Sequence, residues 1–167
     1  MTQLPIKPVV LPADLKNQKN GQLDPKLLVD IPGGKAHHLA AKAWLAMVAE
    51  AKKAGLELKP TSPADAYRTL AIQEKTFLKR YDNTKRDTRH EKYQGKDWWL
   101  KPKVAGAAVP GTSNHGWGLA VDVASMNSAK LTWLLANVDR FGFSWEAQSE
   151  NWHIRYVAGD KIPAAVK

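Results

Sequence analysis

Apolar residues recur at helical spacing after Lys35. Ala40, Trp44, Met47, Val48 and Ala51 fall on one stripe, and Gly55 supplies the left-handed stop. Leu56-Glu57-Leu58-Lys59 alternates and predicts a short strand closed by Pro60. A second helix is predicted from about Thr69 to Tyr81, with Leu70, Phe77, Leu78 and Tyr81 available to the core. Residues 82–112 are polar and basic, then small and flexible; they predict a structureless surface insertion of a length that often serves function. Periodicity returns in a strand over Leu119–Ala124 and a helix over Ser128–Arg140 carrying Leu131, Leu134, Leu135 and Val138. Gly142 ends that helix, and short strands follow around Phe143–Trp145 and Trp152–Val157. Helices first and strands late predict an α+β single domain, with helices packed on a small antiparallel sheet. Residues 1–34, rich in Pro, Lys, Asn and Asp, read as an extended N-terminal arm, 35–160 as the domain, and 161–167 as a C-terminal tail.

Composition narrows the function classes. With 44% hydrophobic and 25% charged residues, the 167-residue chain is neither a disordered tail nor a collagenous or coiled-coil rod. No apolar run approaches the roughly 20 residues that span a bilayer. Cysteine is absent, which excludes a disulfide scaffold, a thiol nucleophile and a Cys-rich zinc site. The N-terminus shows no basic region followed by an apolar stretch, so no signal peptide is expected. The net charge of +9 suits either simple solubility or an acidic partner. No nucleic-acid-binding signature accompanies it. Among seven tryptophans, Trp98-Trp99 beside lysines suggests an exposed binding surface.

Two segments carry candidate chemistry: Ser113-Asn114-His115-Gly116-Trp117-Gly118-Leu119-Ala120-Val121-Asp122 and Glu150-Asn151-Trp152-His153-Ile154-Arg155-Tyr156. In the first, Leu119, Val121 and Val123 share one strand face, and Asp122 lies on the other between Ala120 and Ala124. A carboxylate there must be paired or bind a cation. Gly116 and Gly118 let the backbone bend so that His115 can reach Asp122. In the second, alternation puts His153 and Arg155 opposite Trp152, Ile154 and Tyr156. Two imidazoles and one carboxylate match an open catalytic zinc site with a fourth position for water. Glu150, three residues before His153, is placed to take a proton from that water. Each piece has a plainer reading: a structural histidine, an aspartate in a cap or ion pair, a solvated glutamate.

Ser113-x-His115-x-x-Gly118-x-Ala120-x-Asp122 resembles the S-x-H-x-x-G-x-A-x-D motif of the VanY-type zinc D-Ala-D-Ala carboxypeptidases. Their relatives include L-alanyl-D-glutamate endopeptidases of phage endolysins, and Glu150-x-Trp152-His153 resembles the family's E-x-W-H motif. The resemblance covers roughly residues 60–157 and implies a hedgehog/DD-peptidase-like fold. It also implies one zinc ion held by His115, Asp122 and His153, with Glu150 as catalytic base. The family's S-x-Y-R segment corresponds to Asp65-Ala66-Tyr67-Arg68, followed by Gln73. Arg68 is thereby implied as a catalytic and substrate-binding residue, and Tyr67, Ser113 and Gln73 as substrate-binding ones. Asp65 stands where the family has serine, so an Arg68–Asp65 ion pair is the competing reading. His37, His38 and His90 match no family motif; the first two read as surface residues at a helix start.

The resemblance implies zinc-dependent hydrolysis of stem peptides in bacterial peptidoglycan, most specifically by an endolysin-type endopeptidase cutting an L-Ala-D-Glu or similar bond. A D-Ala-D-Ala carboxypeptidase is the alternative within the family. From another class, a catalytically silent wall-binding or signalling domain would keep the fold. The expected partner is peptidoglycan, with the protein acting as a monomer and without nucleic acid or membrane. Without a signal peptide, synthesis in a host cytoplasm followed by release, or carriage on a virion, is expected.

Overall fold

A computed structural model describes residues 2–166, and among them the chain forms three α-helices and three small antiparallel sheets, with intervening 3-10 turns. Met1 of the arm and Lys167 of the tail lie outside the described residues. The α+β reading is met. Strands β1 (Leu28–Ile31) and β2 (Gly34–His37) form a hairpin. Its two-residue turn is Pro32-Gly33, with Gly33 at φ +87°, as a proline-glycine corner requires. Because Lys35–His37 belongs to β2, helix α1 starts at His38 rather than Lys35, and runs to Lys53. It buries Ala40, Ala43, Trp44, Met47 and Ala51. Lys52 and Lys53 in its last turn complement the helix dipole, and Gly55 follows at φ +76°.

The central sheet has the order β6 (Ala120–Asp122), β8 (His153–Tyr156), β7 (Phe143–Trp145). Leu119, Val121 and Val123 are buried in the core, leaving Asp122 on the opposite face as the alternation predicts. Helix α3 (Ser128–Asn137) buries Leu134 and continues as a 3-10 turn over Val138–Phe141, ending at Gly142. The predicted strand over Leu56–Lys59 is extended chain without a ladder. Pro60 offers no N–H, and the contact with β6 is limited to a bridge at Val123 flanked by the Ala124 N–H to Lys59 carbonyl and Thr61 N–H to Asp122 carbonyl bonds.

Two regions depart from the sequence reading. The lead-in before β1 buries Leu4, Leu15 and Leu23 in the core, and bridges Ile6 to Trp145 and Val10 to Ala158. Residues 82–112 are not structureless. β4 (His90–Tyr93) and β5 (Lys96–Leu100) form a hairpin that also takes β3 (Tyr81–Asp82). Its turn uses Gln94 and Gly95, both at positive φ, a geometry usually announced by Asn-Gly. The hairpin packs on helix α2 (Leu70–Arg80) through Phe77, which stacks on Tyr81 at 4.4 Å and meets Tyr93 and Trp98 edge-on. Trp98 is thus half-buried and donates its N–H to the Tyr93 carbonyl, while Trp99 stacks on His90. Within α2, Phe77 and Gln73 face inward and Leu78 is 43% exposed, against the predicted core position of Leu78.

Candidate active site

The register of the central sheet builds a row of three polar side chains. Asp122 of β6 lies directly opposite His153 of β8. On the other side, β7 pairs Ser144 with Arg155 and Trp145 with Ile154, so one further residue sets Glu146 opposite His153. His153 is therefore flanked by two carboxylates: its Nδ1 lies 2.7 Å from Asp122 Oδ1 and its Nε2 2.5 Å from Glu146 Oε2. The second Glu146 oxygen accepts from Arg155 Nη1 at 2.9 Å, and Asn114 Nδ2 donates to the first at 3.0 Å.

His115 reaches the same spot from a 3-10 turn over Asn114–Trp117, capped by Ser113 Oγ and closed by Gly118 at φ +68°. Asn20 of the lead-in donates to the Ser113 carbonyl, and a side chain at Gly116 would overlap Asn20. His115 Nδ1 faces the Ala66 carbonyl at 3.0 Å. A carbonyl only accepts, so Nδ1 carries the proton and Nε2 presents a lone pair 3.3 Å from Asp122 Oδ2.

Donor atoms of His115, Asp122 and His153 all lie within 4.8 Å of one another. Their outer partners fit a zinc ion. Ala66 fixes His115 with Nε2 free, and Glu146 holds the Nε2 proton of His153, leaving Nδ1 for the metal. Burial disfavours charge on His153, yet the Asp122 and Glu146 carboxylates outweigh it and push its pKa up to about 9 in the metal-free chain. Burial likewise opposes ionisation of Asp122, but the imidazoles set against it in the metal-free chain, above all the protonated His153, hold its carboxyl well below the usual range. Three protein donors leave an open position, the arrangement of catalytic rather than structural zinc.

The triad opens into a cavity of about 790 Å³ that also takes in Glu150, Trp152, Ser113, Arg68 and, farther along, Thr76 and Arg80. Of the remaining predicted residues, Arg68 donates from Nε to the Ala64 carbonyl at 2.8 Å and pairs through Nη2 with Asp65 at 3.2 Å. Arg68 thus lines the cleft while forming the ion pair with Asp65 that the competing reading expects. Tyr67 is turned away, its hydroxyl accepting from Leu23 N in a second groove. Gln73 is buried behind the cleft, where it donates to Asn20 and the Arg68 carbonyl and accepts from Gly111 N. Sequence reasoning missed Glu146, Asn20 and Arg80. Glu146 was findable by pairing the last two predicted strands; Asn20 carried no local signal.

The sequence matches the VanY family, described as D-alanyl-D-alanine carboxypeptidase, over residues 33–159. The chain belongs to that family, a family of peptidoglycan peptidases. Similar solved structures include VanYB in complex with D-alanine-D-alanine, at 21% identity and TM-score 0.58 over 95% of this chain and 89% of that one. The LdcB LD-carboxypeptidase is 24% identical over 87% of this chain and 73% of its own, with TM-score 0.56. A mutant of the vancomycin-resistance D,D-pentapeptidase VanY in complex with Zn(II) is 22% identical over 99% and 89%, with TM-score 0.54. At these identities the likeness is one of fold. Comparison with curated protein sequences returns no match.

Proposed function

We propose that the protein is a zinc-dependent peptidase that hydrolyses stem peptides of bacterial peptidoglycan. The observation that carries this reading is the convergence of His115, Asp122 and His153 at the wall of a cavity that Glu150 also lines. When bound, zinc supplies Lewis acidity, polarising a carbonyl and acidifying water. Glu150 removes a proton from the attacking water and returns it to the leaving amine. Arg68 presents guanidinium N–H groups to the carbonyl oxygen as negative charge develops on it. Glu146, anchored by Arg155 and Asn114, holds the orientation of His153 throughout.

The finer reading is an endopeptidase acting on an L-Ala-D-Glu or similar bond, as in phage endolysins. It is supported by the extent of the cavity, which continues past the triad to Arg80 and the segment 106–108. The second reading, a D-Ala-D-Ala carboxypeptidase, is favoured by the description of the matching family. Metal content and mass spectrometry of muropeptides, for wild type and Glu150→Ala, test the proposal. Zinc at one equivalent with products from wild type alone supports it, and the product masses name the bond. Zinc without any product from wild type would leave a silent wall-binding domain.

A further inference from the structure

The charges that line the cleft are unevenly compensated. Near the triad the cation is Arg68, and its charge is offset although donors remain for a carbonyl oxygen: Asp65 takes Nη2 at 3.2 Å and the Ala64 carbonyl takes Nε at 2.8 Å. Asp65 is fixed in that position by Ser62 Oγ, which donates to its other oxygen at 2.6 Å. The pair is only about a fifth exposed, 22% for Arg68 and 23% for Asp65, so water screens it weakly. Other carboxylates there are Asp122, held between His115 and His153, Glu146, paired with Arg155, and Glu150. A substrate carboxylate brought beside the triad would find a guanidinium already offset and a second negative charge within reach. Arg80 differs. It lines the same cavity, its Nη1 donates to the Gly106 carbonyl at 2.9 Å, and no carboxylate pairs with it among the described residues. It stands at the C-terminal end of α2, about 15 Å from Leu70 at the helical rise per residue, whereas Arg68 precedes the N-terminal end.

We propose that Asp65 is a specificity-determining residue that disfavours a C-terminal carboxylate on the residue following the scissile bond, and that Arg80 is the anion-binding residue for an acidic group farther along. The preferred substrate is then an internal bond of an acidic peptide. The inference rests on the peptidase reading and sharpens it.

Two stem peptides identical except for a terminal carboxylate or carboxamide just beyond the scissile bond form the test. Zinc-loaded wild type should show a kcat/KM about tenfold or more higher on the amide, since juxtaposed like charges strongly disfavour a partner. Asp65→Ser should remove that preference, chiefly by lowering KM for the carboxylate form, while Asp65→Glu should retain it. Arg80→Gln should raise KM only for peptides with an acidic residue farther along, and leave the alanine counterpart unchanged. A wild type that prefers the carboxylate, an unchanged ratio in Asp65→Ser, or equal effects of Arg80→Gln on both peptides would overturn the proposal. Calorimetric binding of both peptides to Glu150→Gln separates the two readings. Preference for the amide in binding, with no hydrolysis by wild type, would sink the peptidase and keep the charge selection. Hydrolysis without discrimination would do the reverse.

Discussion

Two clusters in this molecule hold one aspartate between two imidazoles, and they are built for opposite ends. In one, Asp122 spans His115 and His153; in the other, Asp14 spans His37 and His38, with contacts of 2.8 and 2.7 Å. Both sets of donors lie within 4.8 Å. The difference is in what holds the far side of each ring. His115 gives its Nδ1 proton to a carbonyl, which leaves a lone pair facing the centre. His37 does the reverse: its Nδ1 accepts from the Leu39 N–H at 3.3 Å, capping α1, so its Nε2 carries the proton and donates to Asp14. The buried ring of the second cluster therefore has no lone pair to give a metal. His37, fully buried, is a helix cap tied to the lead-in; identical residue types make a ligand set only where the outer hydrogen bonds free the right nitrogen.

The comparison breaks most sharply on metal content. His115→Ala, Asp122→Ala or His153→Ala should each lose stoichiometric zinc and all hydrolysis, whereas His38→Ala and Asp14→Ala should keep one equivalent by atomic absorption. A second equivalent in wild type that His38→Ala removes would show that both clusters bind. Next in size, Glu150→Gln should retain zinc yet lose a factor of roughly 10²–10⁴ in turnover, the usual share of general acid–base catalysis. Glu146→Gln should weaken zinc binding by about 10- to 100-fold in chelator competition, the typical cost of removing an outer partner.

Smaller effects concern stability. His37→Ala should cost about 1–2 kcal/mol in denaturant unfolding, through the lost cap, without change in zinc content. The two clusters should also tilt metal-free stability in opposite directions with pH. The folded pKa of His153 is raised from 6.5 to about 9, so its contribution is complete below 6.5 and is lost as pH rises through about 9. Burial lowers the pKa of His37 despite Asp14, so its contribution is present above 6.5 and falls away as pH drops below that value. Unfolding midpoints of the zinc-free protein between pH 5 and 10 should show His153→Asn flattening the alkaline limb and His37→Asn the acid limb.

Much of the site was legible because its ligands sit in local patterns. Asp122 alternates against Leu119, Val121 and Val123, and His153 alternates against Ile154 and Tyr156, so strand geometry alone sends both to the polar face. Glu146 was hidden because its role depends on strand register, which no local window reports. Tyr67 precedes Arg68 in the motif but turns to the lead-in, whose Leu23 N–H it satisfies. The hairpin over residues 90–100 was obscured by charged strand residues and by a glutamine at a turn position that glycine or asparagine normally fills.

The path of the lead-in has a kinetic consequence. Its Leu4 backbone is bonded at both N–H and carbonyl to Gln148, Val10 N–H meets the Val157 carbonyl, and Asn20 braces the turn that carries His115. Chain segments almost 150 residues apart must thus find each other before the sheet is complete. During synthesis the lead-in emerges with its partners still unmade, since Gln148, His153 and Val157 follow it by more than 100 residues. Assembly is therefore dominated by distant pairings and belongs with slow-folding topologies. The turn that carries His115 is braced only once the lead-in has docked beside it.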